Sequence, residues 1–243
     1  MVAGKLAVSL IQMRVQQNPW RNAQTLEAAL AGVASSDQPC ELAVGVELGI
    51  APGPVLPEQN EIYPYLGDMA ARYGVYLLPG SLKIKAEEGG FYNQAPVFGP
   101  DGALLGRCNK TAPADAGPER GAVSGSGPLA FDIQEKGIRA GLLLGRDAGL
   151  SGVFRSPALA GPGLIIRMCM ETDAGQEESL ELNQSLAGRH GAYVVYTNAT
   201  GSIGTLALVG GSQILDPEGG PLYSAGAGEA AGGAALDLGL LRP

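Results

Sequence analysis

The chain has 243 residues, 45% hydrophobic and 16% charged, which supplies apolar surface for a large core and argues against disorder. That length fits one layered α/β unit, so a single domain over residues 1–243 is expected, and a formal net charge of -8 leaves no Lys/Arg excess for a nucleic-acid partner. No apolar run approaches the ~20 residues of a membrane span, and the run Leu6–Ile11 is cut short by Gln12 and Arg14, so it reads as a strand rather than a leader and no membrane partner is expected.

Residues Leu6–Met13 form the first expected strand. Pro19 then opens a helix whose apolar positions Leu26, Ala29, Leu30 and Val33 recur at three and four. Leu42–Glu47 is the next strand. A helix through Asp68, Met69 and Ala70 ends at Tyr73-Gly74, where glycine caps it, and Val75–Lys85 resumes as strand. Tyr92–Phe98 and Ala103–Cys108 flank the turn Gly99-Pro100-Asp101-Gly102 and read as an antiparallel pair. A Gly/Pro/Ser-rich loop runs from Ala112 to Gly127, and a loop that long inside a compact unit is usually functional.

Leu129–Ile133 and Ile138–Leu144 make a second strand pair. After them come a helix near Val153–Leu159, a strand at Leu164–Met170, a helix at Glu177–His190 and a strand at Tyr193–Asn198. Ala207–Leu215, a turn from Asp216 to Gly220 and Ala234–Leu238 finish the chain as antiparallel strands. Two βα-rich halves around antiparallel hairpins imply an α/β four-layer αββα sandwich, two mixed β-sheets face to face with helices outside. No fixed short period repeats, which sets aside solenoids and propellers.

Cys40, Cys108 and Cys169 are odd in number and lack metal-ligand spacing, which fits a reducing cytoplasm; no metal and no other cofactor is expected. His190 is the single histidine and sits near a helix C-terminus, where a structural role is the simpler reading and where Ser-His-Asp chemistry finds no second support.

Three segments place groups suited to catalysis. Leu42-Ala43-Val44-Gly45-Val46-Glu47-Leu48 carries a carboxylate at the end of a buried strand, where α/β sheets present functional groups and where desolvation lets a carboxylate act as a base near neutral pH. Taken alone, an exposed glutamate opening a loop is the commoner arrangement. The second segment, Phe98–Gly102 followed by Leu105–Thr111, delivers Lys110 after a hairpin; a solvated lysine is its bland counterpart, as it is for Glu119 in the long loop. The third, Ile138–Asp147, is an apolar strand running into Gly145-Arg146-Asp147.

In this order and spacing the segments resemble those of the nitrilase (carbon-nitrogen hydrolase) superfamily. The resemblance continues through Leu182, Ala187, Gly191–Val195, Asn198, Gly201 and Gly211–Gly219, nearly the whole chain. It implies Glu47 as general base, Lys110 as the cation that stabilises an oxyanion, and Glu119 as a second glutamate positioning substrate. The third segment departs from the pattern. Gly145 and Arg146 stand where the family keeps its nucleophilic cysteine and an aromatic, and Ser151-Gly152 replace its Pro-Glu. Glycine has no side chain with which to attack a carbon or carry an acyl group.

The leading expectation is therefore a catalytically impaired pseudoenzyme that keeps a pocket for a small amide or carboxylate, with Arg146 and Cys169 near the ligand. The resemblance also implies association through outer helices, as a homodimer or with an active paralogue. The rival is a working amidase that uses Cys169, Cys108 or an activated water. A third reading makes Glu47 and Lys110 a buried ion pair with a purely structural role.

Overall fold

The computed structural model of the chain describes residues 4–36, 40–150, 152–156 and 159–241. The first half runs β1 (Lys5–Gln12), α1 (Pro19–Ala34), β2 (Leu42–Leu56), α2 (Ile62–Tyr73), β3 (Tyr76–Lys85), β4 (Phe91–Phe98) and β5 (Leu104–Asn109). Asn18 starts α1: its Oδ1 accepts the N–H of Trp20 at 2.9 Å and of Arg21 at 3.2 Å, while Pro19 fills the first helical position. Gly74, at φ 63°, ends α2 in the left-handed conformation.

The second half runs β6 (Leu129–Ile133), β7 (Ile138–Leu144), β8 (Leu164–Cys169), α3 (Asp173–His190) and β9 (Tyr193–Asn198). It closes with β10 (Thr200–Ile203), β11 (Leu206–Val209), β12 (Gln213–Leu215), β13 (Pro221–Ser224) and β14 (Ala230–Asp237). Two six-stranded sheets result, ordered β14-β1-β2-β3-β4-β5 and β13-β12-β9-β8-β7-β6, beside a small β10-β11 ribbon. The pairings follow one pattern in both sheets. β1-β2-β3 are parallel with antiparallel β14 on one side and β4-β5 on the other; β7-β8-β9 are parallel with antiparallel β6 and β12-β13 in the matching places.

Strand alternation divides the side chains between layers. Leu6, Val8, Leu10, Leu42, Val44 and Val97 of the first sheet meet Ala140, Leu142, Leu144, Ile166, Met168 and Val195 of the second. On the first sheet's outer face Ala43 and Leu77 receive Leu26 and Leu30 of α1 and Leu66 and Met69 of α2. On the second sheet's outer face Leu143, Ile165 and Val194 receive Leu186 and Ala187 of α3. This is the four-layer αββα sandwich. Among the described residues no helix is long and apolar enough to cross a membrane.

Four features differ from the sequence expectation. β2 does not stop at Glu47 but continues to Leu56 beside an extended β3. The stretch 207–215 is two strands, because Gly210 and Gly211 at φ 66° and 75° turn the chain between β11 and β12. The strands β10 and β13 were not expected. The helix expected near Val153–Leu159 is a single 3-10 turn at Val153–Arg155, in a stretch crowded by Gly152, Pro157, Gly161 and Pro162; residues 157–158, like Ser151, lie outside the described residues.

Candidate active site

Glu47 owes its position to a slip in strand alternation. Leu42 and Val44 face the opposite sheet, yet Val46 joins the helix-side core, so the pattern shifts by one at Gly45 and returns Glu47 to the facing-sheet side. At Gly45 β2 and β3 approach so closely that a Cβ would sit 2.2 Å from the Pro79 carbonyl oxygen. The same residue's carbonyl accepts Thr197 Oγ1 from the second sheet at 2.7 Å. One step past Glu47, Leu48 is held at φ 49°, a strained value for a branched side chain, and its N–H donates to Ser81 Oγ at 2.6 Å.

Lys110 is the first residue beyond β5, and its N–H donates to the carbonyl of Asn93 on β4 at 2.9 Å. Its Nζ lies 2.7 Å from Glu47 Oε1 and 2.9 Å from the carboxylate of Glu119. Glu119 sits on a single 3-10 turn, Gly117–Glu119, inside the long loop, and accepts the N–H of Ala114 at 3.0 Å. Asn93 completes the network: its Nδ2 donates to Glu47 Oε1 at 2.9 Å and to Glu119 Oε1 at 2.7 Å. Lys110, Glu47 and Glu119 are 3%, 1% and 2% exposed, so Glu119 is no solvated loop charge.

Gly145 meets these groups. It follows β7 directly, opens a 3-10 turn at Gly145–Gly149, and takes φ 49°. A Cβ built on it would lie 2.8 Å from Glu47 Oε2 and 2.9 Å from Lys110 Nζ. Asp147 in the same turn accepts the N–H of Thr111 at 2.6 Å and of Ala112 at 2.9 Å, tying the Lys110 segment to the turn.

Burial pushes Glu47 up to about 7, against the pull of the Lys110 ammonium and with a further push from Glu119. For Lys110 burial works downward, but Glu47 and Glu119 outweigh it and hold the ammonium above its ordinary value. The arrangement thus pairs a carboxylate able to exchange a proton near neutrality with a permanent cation, the parts of a general base and an oxyanion stabiliser.

The two buried cysteines stand apart from that role. Cys108 lies in the inter-sheet core with its thiol against the carbonyls of Gly127 at 3.4 Å and Leu142 at 3.5 Å, and burial pushes its pKa up. Cys169, the last residue of β8, is fully buried and pushed up to about 12 by desolvation. His190 packs its ring against Phe154 at 4.7 Å, and burial followed by Arg189 lowers its pKa. Arg146 is exposed and lines a cleft of ≈ 760 Å³ together with Ala112–Ala114, Arg167, Glu171 and the first turn of α3.

Two residues of this region carried no role in the sequence reading. Asn93 sits beside Gln94 in Phe91-Tyr92-Asn93-Gln94-Ala95, where two adjacent amides carry no local signal of a shared role. Arg167 gave a usable signal, because an arginine inside Leu164-Ile165-Ile166-Arg167-Met168-Cys169 is a charge in an otherwise apolar parallel strand.

The model of the carbon-nitrogen hydrolase family matches residues 7–243, and the chain belongs to that family. Solved structures agree on the fold. Saccharomyces cerevisiae Nit3, a member of branch 10 of the nitrilase superfamily, is similar at TM-score 0.87 and 19% identity, over 99% of this chain and 93% of that one. XC1258 from Xanthomonas campestris, a CN-hydrolase superfamily protein with an arsenic adduct in its active site, gives 0.85 and 21% over 98% and 92%. A variant of the amidase from Nesterenkonia sp. AN1, showing covalent addition of the acetamide moiety of fluoroacetamide at its active-site cysteine, gives 0.82 and 22% over 97% and 92%.

Proposed function

We propose that this carbon-nitrogen hydrolase family member has given up cysteine-dependent hydrolysis and uses the Glu47–Lys110–Glu119 site as part of a pocket for a small amide or carboxylate. One observation carries the reading: the base and the cation converge on position 145, and position 145 is a glycine. Covalent amide hydrolysis needs a nucleophile there to take the acyl group, and losing one removes several orders of magnitude of rate. The same logic makes Glu47 the retained base, Lys110 the retained oxyanion cation and Glu119 the group that orients both. Replacement by Cys169 or Cys108 would require a thiolate, and burial keeps both thiols protonated. A water-based route remains chemically complete, with Glu47 taking the proton and Lys110 holding the oxyanion, and the assay below reads it directly.

The proposal extends to the setting. Three free cysteines suit a reducing cytoplasm, and the outer helices are the face for a homodimer or for a heteromer with a catalytically complete paralogue. Light scattering of the purified chain tests self-association, and a strict monomer removes the homodimer.

The experiment compares the wild type with Gly145→Cys on butyramide and fluoroacetamide. The wild type is expected to release no ammonia and to gain no adduct. In the variant the introduced thiol should gain an acetamide moiety, losing fluoride, and turn over butyramide. The atoms nearest the added Cβ are the ends of the Glu47 and Lys110 side chains, which can withdraw, while the φ of 49° puts backbone strain on any side chain at 145, so the variant's Tm is recorded beside its activity. Ammonia release by the wild type, or an adduct on Cys169, overturns the proposal.

A further inference from the structure

Arg167 is the charged residue whose surroundings explain it least. It is 1% exposed in the middle of the apolar strand β8, and neutral acceptors alone hold its guanidinium. Nη2 donates to the Gly145 carbonyl at 3.3 Å and to Ser179 Oγ at 3.5 Å; Nη1 donates to the Ser179 carbonyl at 3.3 Å and to Asn183 Oδ1. Its plane lies over the ring of Tyr196, 5.7 Å from the centroid. No ion pair with Arg167 occurs among the described residues. Glu171 stands one hydroxyl away, accepting Ser179 Oγ at 2.9 Å. Two buried donors here, Arg167 Nε and Asn183 Nδ2, make no hydrogen bond.

A buried cation without a carboxylate partner, beside unused N–H groups, is costly on its own and complete with an anion. The ≈ 760 Å³ cleft gives an anion access, because Arg167 and Arg146 both line it and its volume falls in the range of small-ligand pockets. The start of α3 contributes Thr172, Ala174 and Gly175 to the same wall; Thr172 makes no side-chain cap bond, but Asp173 in the first turn and the Glu171 carboxylate beside Gly175 already set negative charge against this helix end, so Arg167 and Arg146 carry the attraction for an anion. Glu171 and Glu178 also line the cleft and oppose a multiply charged ligand.

We propose that this cleft binds a small molecule carrying a single carboxylate, with Arg167 as the buried anchor and Arg146 at the rim. The inference rests on the Glu47–Lys110 site being a ligand pocket: Glu47 and Lys110 do not themselves line the cleft, which adjoins them through the Gly145 carbonyl held by Arg167 and the Ala114 N–H held by Glu119. The carboxylate approaches the Nε edge of the guanidinium, where two planar acceptors match planar N–H donors. The remainder of the ligand extends toward Ala114, whose N–H is bonded to Glu119.

Titration calorimetry on the full chain tests this with butyrate, butyramide and inorganic phosphate; the first two share size and shape and differ in charge. Butyrate is expected to bind about tenfold or more tighter than butyramide, and phosphate no tighter than butyramide. Arg167→Gln should abolish the butyrate preference, whereas Lys110→Gln should weaken both organic ligands equally and leave their ratio intact. A second reading needs no variant: the Arg167 Nε–H resonance of the wild type moves with butyrate and not with butyramide. Equal affinities, a preference that survives Arg167→Gln, an unmoved resonance, or tighter binding of phosphate overturns the anchor. An Arg167-dependent preference that Lys110→Gln leaves untouched in every respect keeps the cleft and sinks the Glu47–Lys110 pocket. Absence of any binding by the wild type sinks both.

Discussion

Lys110 balances two buried carboxylates with one ammonium, and the Asn93 side-chain amide bridges them. Replacing it by an apolar residue leaves Glu47 and Glu119 facing each other without a cation. Lys110→Met is expected to cost about 3 to 5 kcal/mol of stability, the toll of breaking one half of a buried pair, and urea denaturation of the two proteins measures it; a loss under about 1 kcal/mol would mean that the cluster is solvated. These three charges were singled out because the order and spacing of their segments resemble those of the family; taken one at a time, Glu47, Lys110 and Glu119 each read as a solvated side chain, and their burial together was not legible. Asn93 was not legible either, since what singles it out is its reach to two carboxylates from different segments, which no local pattern records. Arg167 lay between these cases: its residue type was conspicuous, but its hydrogen bonds to the Gly145 turn and to α3 exist only once β8 is stacked between them.

Among the elements, β2 does most to place the site. Gly45 lets β2 pass against Pro79, and the alternation slips there so that Glu47 faces the second sheet. Gly45→Ala puts a methyl into backbone, which cannot withdraw as a side chain does. It should cost about 1 to 3 kcal/mol, read as a lowered Tm, and it should also loosen Glu47, read as weaker ligand binding than Gly32→Ala on the open face of α1 produces. Strand β2 was legible as a buried strand but its length and its slip were not, because both depend on pairing with β3 beyond Val46 rather than on residues within the segment. Helix α1 was legible to its first residue, since Pro19 is a local start signal. The 3-10 turn at Val153–Arg155 shows the opposite limit: apolar spacing suggested a helix where glycine and proline leave room for one turn.

For the molecule as a whole, stability should carry the signature of the buried carboxylates. Glu47 titrates at about 7 in the fold against an ordinary 4.5, so between those values the folded chain holds a proton that the unfolded chain has released. Stability from this group is therefore greatest below the lower value, falls as pH rises through the window, and stays low above it. Asp147, raised by burial above 3.8, adds the same trend at its acid end, while Lys110, held above 10.5, keeps its contribution until strongly alkaline pH. The wild type should lose stability relative to Glu47→Gln between about pH 5 and about pH 8, measured by denaturation at both; parallel behaviour of the two proteins rules out a titrating Glu47. The sandwich itself was legible because alternating strand and helix periods persist along most of the chain. What stayed hidden was the closure of the first sheet, where β14 returns to pair with β1 in full register from Lys5↔Asp237 to Gln12↔Ala230. During synthesis, strand β1 leaves the ribosome more than two hundred residues ahead of its mate. Its outer edge stays open while the intervening chain is made, a long exposure for a bare hydrogen-bonding rim. Newly made protein should accordingly depend on chaperones more than the finished fold's stability suggests.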